Sequence, residues 1–444
     1  MRLTRKRFCS FIVFIYCLFS LYAAYSVFFT SAQVSRVHRV VSKKEGEKRD
    51  PHYLAKEEWN PWEEDEKIVN HLLLKKRISN QKRLLNRASY SEPAELKVQI
   101  WGKAAIGLYL WQHILEGSLE PAERSAQWRE GHLRTEKTFF RFLTGPAVVP
   151  DYLSVEADNV VLVLNGREET KISFAIQWLH YTQTLVENRK LQHVAVVLLG
   201  SEQCNNDWIR PYLKRHGGFV DLLFFVYDST WINDEDVYQW PLGVATYRNF
   251  PIVEPNWSMV QDSRPYVCNF VGTIYSNSSR ETLMDIVKKN GLEQLCLISP
   301  REQWQPQETN ESFKSYHDAL LQSDLTLSPV GVNTECYRIY EACSYGSVPV
   351  VEDVMTPGTC GNSSVTNSAP LQLLKSMGAP FIFIKSWKEL PALLQKERSM
   401  TLQEKIQRRK RVIEWYRQFK AQLRQRFVQV LEKTFLNDDR EINV

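Results

Sequence analysis

The chain has little of what builds metal sites: 8 of its 444 residues are cysteine and 9 are histidine. No Cys-x-x-Cys pair and no close histidine pair occurs, so the common zinc-ligand spacings are missing. No block of Lys and Arg interleaved with aromatic residues is present, and the net charge of +5 is mild. A nucleic-acid surface is therefore not expected. There is no internal repeat and no low-complexity tract, which excludes a repeat architecture. Residues 30–94 lack a sustained apolar period and carry charged runs at Lys43–Asp50 and Glu63–Lys67. They read as a partly disordered stem, with Trp59 and Trp62 expected to dock it onto the body.

What is present points to a large lumenal body on a membrane anchor. The composition is 43% hydrophobic and 12% aromatic, and the length allows two or three domains. Arg2, Arg5, Lys6 and Arg7 precede Phe8–Phe29, a run of 22 residues without a charge. That length spans a bilayer, and the basic flank stays cytoplasmic. Residues 1–7 are read as a cytoplasmic tail, 8–29 as a signal-anchor and the rest as lumenal. A cleaved signal peptide ending at Thr30-Ser31-Ala32 is the rival reading.

Sequons at Asn256, Asn277, Asn310 and Asn362 are candidates for glycosylation. Six cysteines lie beyond the anchor: Cys204, Cys268, Cys296, Cys336, Cys343 and Cys360. An even number in an oxidising compartment implies disulfides. Cys336 and Cys343 are excluded as partners of each other, because seven residues of helix separate them by about 10 Å and a disulfide needs Cα atoms within about 7 Å.

Residues 95–255 alternate apolar strands with helices. Strands are expected at Lys97–Ile100, Val160–Leu164, Val194–Leu199 and Leu222–Tyr227, and helices at Lys103–Leu115, Ile172–Val186 and Asp207–Arg215. The pattern returns in residues 256–400, with strands at Tyr266–Val271, Leu295–Ser299, Asp324–Leu327, Val348–Val351 and Pro380–Ile384. A basic helix over Leu402–Leu436 lies within the C-terminal 401–444 segment. Continuous apolar strands between helices predict doubly wound parallel sheets. The fold class is α/β, with two Rossmann-like domains facing a cleft.

One stretch carries the chemistry, SDLTLSPVGVNTECYRIYEACSYGSVPVVED (Ser323–Asp353). It reads as strand, Pro-Val-Gly turn, helix and strand, with the helix starting near Asn333 or Thr334 and ending at Gly346. Thr334, Arg338 and Glu341 then fall at i, i+4 and i+7 on one helix face. A helix start suits a phosphate, Arg338 suits a diphosphate, and Glu341 suits ribose hydroxyls. An ordinary surface ion pair between Arg338 and Glu341 is the plain alternative. Ligands of open α/β sheets bind at strand carboxyl ends, which adds Gly272, Gly331, Glu352 and Asp353 as candidates.

The R-x-x-E-A at Arg338–Ala342 and the following Gly-Ser-Val-Pro-Val-Val resemble the nucleotide-sugar half of exostosin-type glycosyltransferases, over roughly residues 266–385. That resemblance implies a GT-B architecture. Cys336 departs from the family, which often has Ser there. The EEWNPWE segment (Glu57–Glu63), VQIWGKAAIGLYLW (Val98–Trp111), WPLGVATYRNFP (Trp240–Pro251) and WQPQETNES (Trp304–Ser312) extend the likeness along nearly the whole chain. They resemble the xylosyltransferases that act on ribitol 5-phosphate. The resemblance implies an inverting, Golgi-resident, type II membrane enzyme. It implies UDP-xylose as donor, the O-mannosyl glycan of α-dystroglycan as acceptor, and other Golgi transferases of that pathway as partners. A non-catalytic lumenal scaffold and a sugar-binding module are the alternatives.

Inverting transfer needs a base for the acceptor hydroxyl. The candidates are Asp228, Asp234 and Asp236 at the end of one predicted strand, with His113 a further one. Lys103, Arg167 and Arg248 are candidates for an acceptor phosphate. Asp234-Glu235-Asp236 also reads as a D-x-D metal motif, but it is far in sequence from the donor motif. No metal and no cofactor is expected, and UDP-xylose enters as substrate.

Overall fold

The computed structural model describes residues 95–441, apart from breaks at 123–124, 147, 151–152, 154, 304, 306–307 and 357–369. The expected anchor, stem, Trp59, Trp62 and Asn362 lie outside the described residues. No helix among the described residues is long and apolar enough to cross a membrane.

The first sheet comprises β1 (Leu96–Gly102), β2 (Glu120–Ala122), β3 (Ser125–Arg134), β4 (Thr138–Thr144), β5 (Asn159–Asn165), β6 (His193–Leu199), β7 (Leu222–Val226) and β8 (Val237–Trp240). Their order is β2-β3-β4-β1-β5-β6-β7-β8. From β4 to β8 every pairing is parallel. The central strands NVVLVLN, HVAVVLL and LLFFV are buried almost throughout, because helices cover both faces and no side chain is left for solvent. The second sheet holds β9 (Tyr266–Thr273), β10 (Cys296–Arg301), β11 (Ser323–Ser328), β12 (Val348–Glu352) and β13 (Ile382–Ile384). Its order is β10-β9-β11-β12-β13, parallel throughout.

Four strands of the first sheet were not expected: β2, β3, β4 and β8. At the edge of the first sheet β3 pairs antiparallel with β4, and β2 antiparallel with β3. Their sequence is rich in Arg and Glu and hides the pattern. The charges pair across the strands, as Arg141 with Glu130 at 2.9 Å. The helix expected over Lys103–Leu115 is present as α1 (Ala105–Leu108) continuing into a π-helical turn, Tyr109–Ile114. The helix expected at Asp207–Arg215 is instead two 3-10 turns, since Pro211 lacks the N–H that an α-helix would need.

The remaining helices are α2 (Glu169–Glu187), α3 (Trp257–Gln261), α4 (Ser279–Lys289), α5 (Asn310–Gln322), α6 (Tyr337–Ser344), α7 (Gln372–Ser376), α8 (Leu390–Ser399) and α9 (Leu402–Glu441). Helices α4 and α5 start at Ser278 and Thr309, whose hydroxyls accept from the backbone N–H of Glu281 and Ser312, the usual N-cap arrangement. Helix α9 runs under both sheets. Arg409, 2% exposed, donates to the carbonyls of Met259, Val260 and Asp262 on the second-sheet side. Phe419, Leu423, Phe427, Leu431 and Phe435 recur every fourth residue and are all buried. Phe427 reaches Phe224 and Trp240 of the first sheet at 5.0 and 5.5 Å between ring centroids.

Cys268 and Cys296 are register neighbours on β9 and β10 and form a disulfide. Cys204 is also disulfide-bonded. Cys336 and Cys343 carry free thiols.

The carboxyl edges of the two sheets are tied to each other. Asn333 Nδ2 donates to the Glu202 carbonyl at 2.8 Å. The backbone N–H of Leu242 and of Ala245 donate to Glu335 and Glu341 at 2.8 and 3.0 Å. The loops that carry ligands in open α/β sheets therefore converge.

Candidate active site

An open cleft of about 880 Å³ lies at the carboxyl end of β9. Its walls come from Ala245–Phe250, from Val271–Thr273, from Arg280 of α4, from α5 and from Cys336–Glu341. Its floor is cationic. Arg338 is 9% exposed, donates from Nη2 to the Val271 carbonyl at 2.8 Å and lies 4.9 Å from the Phe270 ring centre. Arg280 donates from Nη1 to the Thr273 carbonyl at 2.9 Å. Burial lowers the Arg280 pKa, and the facing charge of Arg338 lowers it further.

Neither guanidinium has a carboxylate within ion-pair distance among the described residues. The Nε of each is buried without a hydrogen-bond partner there. Two desolvated like charges without a counter-ion are costly, and the arrangement is relieved by an anion that both can grip. Two further arginines on the wall, Arg248 and Arg301, are by contrast paired to Glu308 at 2.8 and 2.7 Å.

The two glycines expected near phosphate sit against these arginines. A Cβ on Gly272 would come within 2.7 Å of Arg338 Nη2, and one on Gly331 within 2.7 Å of Arg280 Nη2. Glu341 also lines the cleft. Its Oε1 accepts from Ala245 N and its Oε2 from the Tyr316 hydroxyl, and burial raises its pKa. Each carboxylate oxygen keeps a lone pair.

Other expected residues stand elsewhere. Thr334 does not share the helix face. Helix α6 begins at Tyr337 with Cys336 at the N-cap position. Asn333 Oδ1 accepts from Glu335 N at 2.9 Å, a local turn that holds the chain out of the helix. The Thr334 hydroxyl donates to the Val354 carbonyl at 2.6 Å. Glu352 is a strap: its Oε2 accepts from Val330 N at 3.1 Å, from Trp387 Nε1 at 2.9 Å and from the Ser279 hydroxyl. Asp353 is bound by Lys375 and Lys385, each at 2.6 Å.

The three aspartates expected near the base separate. Asp228, after β7, accepts from Gln239 Nε2 at 2.8 Å and from the N–H groups of Leu371 and Gln372 at 2.6 and 3.0 Å. It anchors the start of α7. Asp234 and Asp236 lie at the other edge of the sheet. Because β8 runs parallel to β7, the chain travels back the length of the sheet before Val237, which pairs with Leu223. There Asp236 pairs with Arg215 at 2.9 Å and Asp234 with Arg426, so these two carboxylates do not face the cleft. His113 is buried and stacked on Tyr109, and burial, reinforced by Lys420, lowers its pKa to about 4. Lys103 is buried and donates to the Pro146 carbonyl at 2.8 Å.

Sequence reasoning did not single out Arg280 or Glu335. A signal existed for Arg280: a cation in the first turn of a helix opposes the dipole unless an anion joins it. Glu335 is buried, accepts from Leu242 N at 2.8 Å and from the Tyr340 hydroxyl, and burial pushes its pKa up to about 7.

Two tied parallel sheets, with an anion-seeking cleft at their carboxyl edges, describe a glycosyltransferase. Residues 98–241 match the family model for the RXYLT1 N-terminal domain, and residues 247–436 the model for the RXYLT1 C-terminal domain. Ribitol-5-phosphate xylosyltransferase 1 of Homo sapiens is 62% identical over 447 residues, covering 99% of this chain and 100% of the relative. The Mus musculus and Danio rerio proteins of the same name are 60% and 57% identical, each over 98% of this chain and 99% of the relative. The chain belongs to the ribitol-5-phosphate xylosyltransferase 1 family.

Among solved structures, the catalytic domain of Starch Synthase IV from Arabidopsis thaliana, bound to ADP and acarbose, aligns over 76% of this chain and 100% of its own. The identity is 8% and the TM-score 0.38. An alpha1,3-fucosyltransferase aligns over 76% and 93%, at 9% identity and a TM-score of 0.34. Both likenesses are too loose to bear on the site.

Proposed function

We propose that this xylosyltransferase moves xylose from UDP-xylose to ribitol 5-phosphate on the O-mannosyl glycan of α-dystroglycan, with inversion. It does so from the Golgi lumen, held by a single type II span at Phe8–Phe29 and alongside other transferases of the same route. The observation that carries the donor reading is the pair of guanidiniums of half-buried Arg280 and buried Arg338, whose Nε atoms are both buried, without a carboxylate partner among the described residues. A nucleoside diphosphate supplies the missing anion.

In this reading Arg338 and Arg280 hold the diphosphate and absorb the charge that develops on it as the glycosidic bond breaks. Gly272 and Gly331 leave the guanidiniums room to reach it. Glu341 accepts from the ribose hydroxyls, and the rings of Tyr247, Phe313 and His317 on the cleft wall flank the uracil. The arginines do the work a divalent ion does in other transferases, so no metal is required.

The test is a donor screen. Secreted protein lacking the anchor is given a panel of UDP-sugars and a ribitol-5-phosphate glycopeptide, and products are weighed. A pentose added from UDP-xylose alone, undiminished by chelator, is expected. Transfer from another donor, or loss of transfer in chelator, refutes the corresponding part.

A further inference from the structure

We infer that Cys336 is a thiol switch on the donor cleft: it forms a mixed disulfide with a small anionic disulfide, and the adduct keeps the donor out. The inference rests on the proposed donor reading. Among the described residues two thiols are free, Cys336 and Cys343, while Cys204, Cys268 and Cys296 are already in disulfides. Access decides which thiol exchanges, and the two differ in it. Cys343 is 1% exposed, its Sγ donates to the Ile339 carbonyl at 3.1 Å, and burial holds its pKa well above the ordinary thiol range. Cys336 is half-buried and lines the cleft.

Cys336 stands at the N-cap position of α6 with extended backbone, and its side chain makes no capping bond. Its Sγ lies 3.2 Å from the Ser328 hydroxyl at the end of β11. The backbone around it is held in place. Thr334 N donates to Thr356 Oγ1 at 2.9 Å, Glu335 N donates to Asn333 Oδ1 at 2.9 Å, and the Cys336 carbonyl accepts from Ile339 N at 3.2 Å. A group added to Sγ is therefore fixed at the cleft wall.

The cleft also selects the reagent. Two residues further on, Arg338 lines the same cleft, is 9% exposed and has an Nε without a hydrogen-bond partner. Arg280, across from it on α4, has an Nε in the same state. Such a pair draws in anions. Glutathione disulfide is anionic, because each half carries two carboxylates and one ammonium. One half, bound through its sulfur to Cys336, brings its carboxylates to the guanidiniums that the donor diphosphate needs.

In the step, the Cys336 thiol loses its proton to water. Its sulfur bonds to one sulfur of the reagent, the reagent's own disulfide breaks, and the other half leaves as a thiolate with the electron pair. Cys336 is oxidised and the leaving half is reduced, so no further oxidant enters. A thiol reductant reverses the exchange by the same route.

The experiment incubates the full-length protein in detergent with oxidised glutathione, with and without UDP, and locates the adduct by peptide mass. Transfer rate and the UDP dissociation constant are then measured on the treated protein. Glutathione is expected on Cys336 and not on Cys343, UDP is expected to slow its addition, and a thiol reductant is expected to restore transfer. The adduct displaces the charged contacts of the diphosphate, so the UDP dissociation constant is expected to rise at least about tenfold. Cystamine, a cationic disulfide, is expected to react with Cys336 at least about tenfold more slowly. Cys336→Ser, compared with its own untreated rate, is expected to keep its transfer in oxidised glutathione. Absence of the adduct, an adduct that leaves UDP affinity unchanged, addition that UDP does not slow, cystamine reacting as fast, or inhibition persisting in Cys336→Ser overturns the inference. Untreated wild type that binds no UDP overturns the donor reading instead, and is seen before any reagent is added.

Discussion

Arg338 offers the sharpest separation of binding from folding. Replacing it with methionine keeps the aliphatic stem and removes the guanidinium. Three effects act on the unliganded protein. The hydrogen bond to the Val271 carbonyl is lost, about 1 kcal/mol. The contact over Phe270 is lost, about 0.5–2 kcal/mol. Against these, a desolvated charge facing Arg280 disappears, and Arg280 is left with the effect of its burial alone, without the added repulsion of Arg338. The terms oppose one another at similar size, so the melting temperature should stay within about 4 °C of wild type.

Binding has no such offset. A hydrogen bond between charged groups contributes about 1.5–3 kcal/mol, so losing one raises the UDP dissociation constant roughly 10- to 150-fold. The assay is a melting curve with and without saturating UDP, with calorimetry for the constant. Arg338→Met should melt like wild type alone and lose most of the UDP-induced rise. UDP affinity within threefold of wild type, or a fall in melting temperature beyond about 10 °C without ligand, refutes the reasoning. The first result would mean that the arginine does not meet the diphosphate, the second that it is a structural residue.

Four other outcomes are expected. Arg280→Met should weaken UDP by a similar factor, and the double variant should lose less than the sum, because each single change relieves repulsion felt by the other. Glu335 is held up to about 7 by burial, so its contribution to stability is full below the ordinary carboxylate range and is lost as pH rises through about 7; Glu335→Gln should melt higher than wild type at pH 8 by about 2–3 kcal/mol equivalent and converge with it near pH 4. Asp228→Asn should lower the melting temperature, because its amide opposes the N–H groups of Leu371 and Gln372, yet leave UDP affinity within threefold. Replacing Cys268 and Cys296 with alanine, which opens a loop spanning 28 residues, should cost about 3.5 kcal/mol in denaturant unfolding on the chain-entropy argument.

Much was legible in the sequence where the physics is local. The runs at Val160–Leu164, Val194–Leu199 and Leu222–Tyr227 announce buried parallel strands because no polar residue interrupts them. The structure extends each by one residue or so at most at either end, apart from Tyr227, which leaves the strand. That Gly272 and Arg338 would share one edge of the second sheet was legible because a glycine at a strand end and an arginine entering the next helix both lie on that edge in an open α/β sheet. Residues 120–134 were opaque, since β2 and β3 lie at a sheet edge and β3 is written in charged residues whose partners lie across the pair rather than along the chain.

By itself the sequence determined the alternation of strand and helix, the parallel sheets and the place of Arg338 at the carboxyl edge of the second sheet, since hydrophobic period and turn chemistry act over a few residues. Only the tertiary structure decided which acids face the cleft. A crossover of unknown direction separates Asp228 from Asp234 and Asp236, and β8 running parallel to β7 carries the latter two to the far edge. Arg280 and Arg338 lie 58 positions apart in the chain, and nothing local says that they meet. Their unsatisfied charge exists only once β9, α4 and α6 are packed together.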